Sequence, residues 1–135
     1  MSCSQKVRHS KIVFEDGKGK CKMCFDNPNR RVVTKILVDN CAITEGKRCD
    51  FLLLDHNSIE YFIELKGKQV AYACSQVEET IKKLTKDVLA IKYSFIVSTA
   101  CPLTTTEVQI FKATFKKKYN CSLIVKNNIC HYCIN

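Results

Sequence analysis

Residues 48–76 read RCDFLLLDHNSIEYFIELKGKQVAYACSQ, and the fold turns on how this stretch is parsed. Cys49 to Leu54 is a short apolar run and Asp55-His56-Asn57-Ser58 a polar turn. Glu60 to Leu65 is a second run, aromatic and branched, closed by Gly67. The pattern predicts strand, turn, strand, then helix. Side chains two apart on a strand share a face, so Glu64 and Lys66 are expected to emerge together. Hairpin pairing then brings Asp50 alongside them. Two carboxylates offer hard oxygen ligands to Mg²⁺, which takes one or two such groups and keeps waters that a phosphate displaces. A neighbouring lysine holds the attacking water or steadies charge developing on phosphorus. The constellation suits phosphodiester hydrolysis. The plainer alternative for all three residues is surface charge at strand ends.

Upstream, residues 1–10 are polar and basic and are expected to be poorly ordered. Lys11 to Glu15 (KIVFE) reads as a strand, and Asp16-Gly17-Lys18-Gly19-Lys20 as a basic, glycine-rich chain reversal without the spacing of a P-loop. Arg30 to Asp39 alternates and is β-branched, which predicts a long strand that enters an antiparallel meander with the Asp50 and Glu64 strands. Downstream, Val70, Ala73, Cys74, Val77, Ile81, Leu84 and Val88 recur at helical spacing, so a helix is expected over 70–89 with its apolar stripe on the sheet. Gln76 lies at the border of that stripe. Tyr93 to Ser98 predicts a strand parallel to the Glu64 strand, since a helix crosses between them. Thr104-Thr105-Thr106-Glu107 is a capping box for a second helix to about Tyr119, and Cys121 to Lys126 a last strand. The expected architecture is α/β: one domain over 1–135, with a central mixed sheet of about five strands flanked by two main helices.

The segment resembles a known family. Asp50, residues 51–63, then Glu64-Leu65-Lys66 looks like the D…(D/E)-x-K signature of the PD-(D/E)XK nuclease superfamily, the restriction-endonuclease-like fold. Gln76 is similar to a glutamine that many members carry on the helix after the lysine strand. The likeness covers the middle third of the chain. It departs at Cys49, where many members have proline, and in lacking an obvious glutamate on a first helix; Glu15, Asp39 and Glu45 are the candidate substitutes. The resemblance implies a minimal restriction-endonuclease-like core. It implies catalysis by Asp50, Glu64, Lys66 and Gln76, with Mg²⁺ (or Mn²⁺) held by Asp50, Glu64 and the Leu65 carbonyl. The substrate it implies is DNA in preference to RNA, cut with low or structure-directed specificity by a homodimer.

Ten cysteines raise the question of a disulfide scaffold. No secretory apolar segment follows Met1, and the apolar segments are long enough to pack unaided, so Cys3, Cys41, Cys49, Cys74, Cys101 and Cys121 read as small buried hydrophobes or incidental thiols. Two C-x-x-C pairs stand apart, Cys21/Cys24 and Cys130/Cys133. Together they hold four thiolates, enough to close a tetrahedral structural Zn²⁺ site that ties the two ends of the chain in space. Unbound thiols and redox chemistry are the alternatives.

Lys and Arg outnumber Asp and Glu by 22 to 13, a formal charge of +9 that suits a polyanion, nucleic acid being the commonest. Lys116-Lys117-Lys118 are candidate phosphate contacts, or else cations that complement a helix C-terminus. No apolar run reaches the ~18 residues of a membrane span, and the expected location is cytoplasmic, or nuclear in a eukaryote, not secreted. The competing function is a non-catalytic, zinc-stabilised nucleic-acid-binding module on a degenerate nuclease fold.

Overall fold

A computed structural model describes residues 2–65, 69–100 and 105–134. In chain order the elements are β1 (Ser4–Val7), β2 (Lys11–Glu15), β3 (Lys22–Asp26), β4 (Val33–Leu37), β5 (Phe51–Leu54), β6 (Glu60–Leu65) and α1 (Val70–Leu84). They are followed by β7 (Lys92–Ser98), α2 (Thr106–Tyr119), β8 (Cys121–Asn127) and β9 (Ile129–Cys133). Over the described residues the protein is α/β, with two helices and nine strands in two sheets. The main sheet has the order β1-β4-β5-β6-β7-β8, and a smaller one the order β2-β3-β9.

The meander forms as the alternation predicts: β4, β5 and β6 pair antiparallel in sequence. α1 then crosses over to lay β7 parallel to β6, and α2 does the same for β8. β6 and β7 are buried on both faces because each face has a cover. On one side Phe62, Ile96 and Val125 meet Ala73, Val77, Ile81 and Phe115 of the helices. On the other, Tyr61, Ile63 and Phe95 meet Phe14, Met23, Phe25 and Cys130 of the small sheet. Phe25 sits at the centre of that second core, edge-on to Phe14, Tyr61, Phe95 and Tyr132. Such pairs add to the area they bury.

The main sheet therefore has six strands rather than about five, and three strands form a second layer. The extra main-sheet strand is β1, on the edge against β4, within residues expected to be poorly ordered. Three of its four residues face solvent, so it carries no periodic apolar signal. Cys3, just before it, is disulfide-bonded to Cys41, which corrects the reading of both as thiols. Cys49, Cys74 and Cys121 are buried hydrophobes as expected, and Cys101 lies outside the described residues.

Three of the boundaries that differ have a local cause. β4 begins at Val33 because Arg30 takes the left-handed conformation (φ 48°), which no strand accepts. α1 stops at Leu84: the Asp87 side chain accepts from the Leu89 amide and turns the chain, a local competitor to the helix. α2 is capped by Thr105, whose hydroxyl accepts from the Val108 amide at 3.2 Å. Among the described residues no helix is long and apolar enough to cross a membrane.

Candidate functional site

Asp50 immediately precedes β5, and continuing the β5–β6 register (Phe51 opposite Ile63) by one residue sets it opposite Glu64. Its backbone is held on both sides. The Asp50 amide donates to the Ile63 carbonyl at 3.1 Å, while its own carbonyl accepts from the amides of Val38 (3.0 Å) and Asp39 (3.2 Å). The side chain is fixed as well, Oδ2 accepting from the Leu65 amide at 2.8 Å. Asp50 is half-buried and forms the outer member of the pair.

Glu64 is the inner member, only 6% exposed and in phase with Phe62 on the helix-facing side of β6. Its carboxyl lies within hydrogen-bonding reach of the Asp50 side chain. Burial first, and then the Asp50 charge, push its pKa up to about 9; the Asp50 amide pulls the other way, and Asp39 adds a smaller upward push. At neutral pH the pair therefore holds one proton, as close carboxylates do. Oε1 of Glu64 is buried and has no hydrogen-bond partner among the described residues. A buried acceptor left in that condition calls for an explanation. A divalent cation is the partner that would both satisfy the oxygen and displace the proton, so the donor set fits a hard metal ion.

The surrounding residues hold this geometry. Gln76 does not reach into the carboxylates; its Nε2 donates to the Arg48 carbonyl at 3.2 Å and docks α1 on the chain two residues before Asp50. Thr80, one turn on, accepts from the Cys49 amide at 2.8 Å and donates to the Gln76 carbonyl at 2.8 Å. Arg48 pins the loop after β4, with Nε on Asp39 Oδ1 at 2.9 Å and a second arm on the Gly46 carbonyl at 2.9 Å. Cys49 is fully buried, and burial raises its thiol to about 12, so it is a packing residue and not a nucleophile. Lys66 and Lys68 lie outside the described residues. Of the candidate third acids, Asp39 is the one whose charge reaches Glu64, while Glu15 faces Lys22 at 3.7 Å on the small sheet.

Thr80 and Arg48 were missed by sequence reasoning. Thr80 left a signal: a polar residue within the apolar stripe of α1, four after Gln76. Arg48 left none, since its partners meet it only in three dimensions.

The cysteine pairs do come together in space, but as strands and not as ligands. β3 and β9 pair parallel, with Met23 opposite Cys130, Cys24 opposite His131 and Asp26 opposite Cys133. Residues three apart on a strand take opposite faces. Cys130 thus points into the core and Cys133 out; Cys21 is buried and Cys24 stands on the outer face. Two sulfurs inside and two outside do not fit a tetrahedral zinc. Among the described residues no group of three or more His, Cys, Asp or Glu side chains is placed to hold a metal ion.

Lys116, Lys117 and Lys118 are exposed at the C-terminus of α2. Because α2 runs back against the parallel strands, this triplet lies at the end of the sheet away from Asp50 and Glu64, and Lys118 is 3.9 Å from Glu78. A different basic feature shares the carboxylate end. Lys18, Lys20 and Lys22, with Thr99 and Asn128, line an open cavity of about 660 Å³. It is tied to the main sheet by the Asn128 amide on the Ser98 carbonyl (2.7 Å) and the Lys22 amide on the Asn128 carbonyl (2.8 Å). The basic turn read as a simple chain reversal thus also carries charge to the strand ends.

Comparison with family models, with curated proteins and with solved structures finds no match to this chain. The site is therefore read from its own chemistry.

Proposed function

We propose that the protein is a divalent-metal-dependent nuclease that hydrolyses phosphodiester bonds, in DNA in preference to RNA, on a minimal restriction-endonuclease-like core. The observation that carries this reading is Glu64: a buried carboxyl opposite Asp50, its proton held by burial and by that neighbour's charge, with one oxygen that has no partner among the described residues. Asp50, Glu64 and the Leu65 carbonyl would hold Mg²⁺ or Mn²⁺. When bound, such an ion neutralises phosphate charge and makes a coordinated water acidic. Glu64 must lose its proton for this, so the pair stays uncommitted until the cation arrives. Asp50, anchored by the Leu65 amide, keeps the mouth of the site fixed. Lys66, two residues beyond Glu64 in sequence, supplies the positive charge that steadies the phosphoryl group, a role taken from the sequence pattern. Gln76 and Thr80 are positioning residues that seat the Arg48–Asp50 segment.

The sheet topology supports the placement. The pair sits near the C-terminal end of β6, where antiparallel pairing with β5 gives way to parallel pairing with β7. Open α/β sheets offer their ligand crevices beyond the strand C-termini. The lysine-lined cavity at the same end gives a backbone its electrostatic grip.

That cavity needs no metal, and it favours one second reading: a non-catalytic nucleic-acid-binding module, without the zinc first coupled to it. Single-stranded, double-stranded and branched DNA, and RNA, incubated with Mg²⁺ or Mn²⁺ separate the two. Cutting by the wild type and not by Glu64→Gln is expected. Retarded but uncut substrate under every condition leaves the module.

A further inference from the structure

Three arginines gather at the end of the main sheet remote from Asp50 and Glu64. Arg8 follows β1, Arg30 and Arg31 precede β4, and with His56 of the β5–β6 turn they line an open cavity of about 500 Å³. Among the described residues none of the three guanidinium groups has a carboxylate within 4.0 Å. Counted along β6, the cavity lies about 15–20 Å from Glu64, at 3.3 Å per residue. It is separate from the carboxylate site.

The arginine loops are set by one buried residue. Asn27 is 1% exposed, and its Nδ2 donates to the His9 carbonyl (3.2 Å) and the Arg31 carbonyl (2.9 Å), while Oδ1 accepts from the Arg31 amide (3.2 Å). Its backbone adds two more ties, its amide to the Ser10 carbonyl at 2.8 Å and its carbonyl from the Arg30 amide at 3.0 Å. A single amide side chain thus locks the Arg8 turn and the Arg30–Arg31 loop to each other. Within that lock Arg30 is held at φ 48°, a conformation disfavoured for any residue with a Cβ. Backbone held against its preference concentrates at ligand clamps.

Guanidinium forks match phosphate oxygens. An internal phosphodiester carries one negative charge, whereas a phosphomonoester carries about 1.5 to 2 near neutral pH. Three guanidinium groups around one cavity, without a carboxylate partner among the described residues, exceed what a single diester needs. We propose that this cavity binds the terminal phosphomonoester of a nucleic-acid strand, so that the preferred substrate is a strand with a phosphorylated end. The proposal rests on the nucleic-acid half of the reading above and not on the metal or the carboxylates.

Binding is measured in EDTA by fluorescence anisotropy. Labelled oligonucleotides of one sequence carry a 5′-phosphate, a 3′-phosphate or only hydroxyl ends, and the proteins are wild type, Arg30→Gln/Arg31→Gln and Arg8→Gln. At least one phosphorylated end should bind about tenfold tighter than the hydroxyl-ended strand, with the two phosphate arms naming the end recognised. That preference should vanish in the double variant and shrink in Arg8→Gln, while affinity for the hydroxyl-ended strand changes less than about twofold. Equal wild-type affinity for all three strands overturns the proposal. So does an equal loss on all three strands in the double variant, which would make the arginines general backbone contacts. Inorganic phosphate is the competitor: a thermal shift with it but no oligonucleotide binding overturns the nucleic-acid source. An end preference that persists while no substrate is ever cut upholds this site and defeats hydrolysis, so the two failures are distinguishable.

Discussion

Two ionisable side chains are buried under the helices on the same face of the main sheet, and the fold treats them in opposite ways. Lys92 on β7 has no exposed surface, yet its Nζ donates to the carbonyls of Val88 (2.7 Å), Ala90 (2.5 Å) and Tyr119 (2.7 Å). An ammonium has three donors, and all three are used. Glu64 on β6 is nearly as buried, but among the described residues its Oε1 has no partner, and the Asp50 carboxyl lies within hydrogen-bonding reach. Asp55 in the β5–β6 turn behaves like Lys92, accepting from the Asn57 amide (2.8 Å), the Ile59 amide (3.0 Å) and the Tyr61 hydroxyl (3.0 Å). Burial of a charged residue type therefore does not mark function here. Unmet bonding capacity is what sets Glu64 apart from Lys92 and Asp55.

The largest effect that can break this contrast is on cutting. On the proposed function, Glu64→Gln and Asp50→Asn should each lower Mg²⁺-dependent cleavage on the order of a thousandfold, since each would remove a metal ligand where charge develops. Neither should lower the melting temperature, and Glu64→Gln should raise it by removing the conflict with Asp50. If either variant unfolds instead, the pair is structural after all and Glu64 belongs with Lys92.

Lys92→Met is the opposite experiment. It leaves the buried Tyr119 carbonyl and two partly buried ones without their donor, and breaking such a charged cluster costs about 3 kcal/mol or more. Urea denaturation should show that loss, while the folded fraction of the variant cuts at the wild-type rate. A stable Lys92→Met protein with impaired cleavage would reverse the two assignments.

How far these roles could be read from the sequence differs between the fold and the site. β5, β6, α1 and β7 were legible because Phe51 to Leu65, Val70 to Ile81 and Tyr93 to Val97 carry apolar patterns that local physics enforces. β3 and β9 were not, because each is five residues long and overlaps a cysteine pair at metal-ligand spacing, which hid the alternation of Met23 with Phe25 and of Cys130 with Tyr132. The Cys3–Cys41 bond depends on an edge strand that only tertiary pairing reveals. Asp50 and Glu64 were found because hairpin register alone sets them opposite. The roles of Lys92, Thr80 and Arg48 were hidden, since each is defined by backbone groups distant in sequence.

Titration sharpens the comparison through sign. The Glu64 pKa is raised from 4.5 to about 9 in the folded protein. Between those values the native state holds a proton that the unfolded chain has lost. Metal-free stability is thus greatest below pH 4.5 as far as this group is concerned, and it falls as pH rises towards 9, by at most about 1.4 kcal/mol per pH unit. Glu64→Gln should flatten that slope. Mn²⁺ binding, which competes with the proton, should tighten over the same range and release close to one proton per ion at pH 7. Binding that is independent of pH from 5 to 9 would remove Glu64 from the ligand set.

The smallest expected effects test whether α1 positions the site or only covers it. Thr80→Val removes the acceptor of the buried Cys49 amide, and Gln76→Ala removes a donor to the Arg48 carbonyl. Each should cost about 1–2 kcal/mol of stability, the Thr80 change more because it leaves a buried amide unpaired. On the proposed function, if Gln76 acts only through Arg48, the Gln76→Ala variant should lose a few fold in cleavage at low Mg²⁺ and recover when Mg²⁺ is raised, since a loosened Asp50 would weaken ion binding and not the step that follows. Thr80→Ser keeps the hydroxyl and should restore both stability and metal affinity. A loss in Gln76→Ala that saturating Mg²⁺ does not repair would place that amide in contact with the substrate, a role the Arg48 hydrogen bond does not provide.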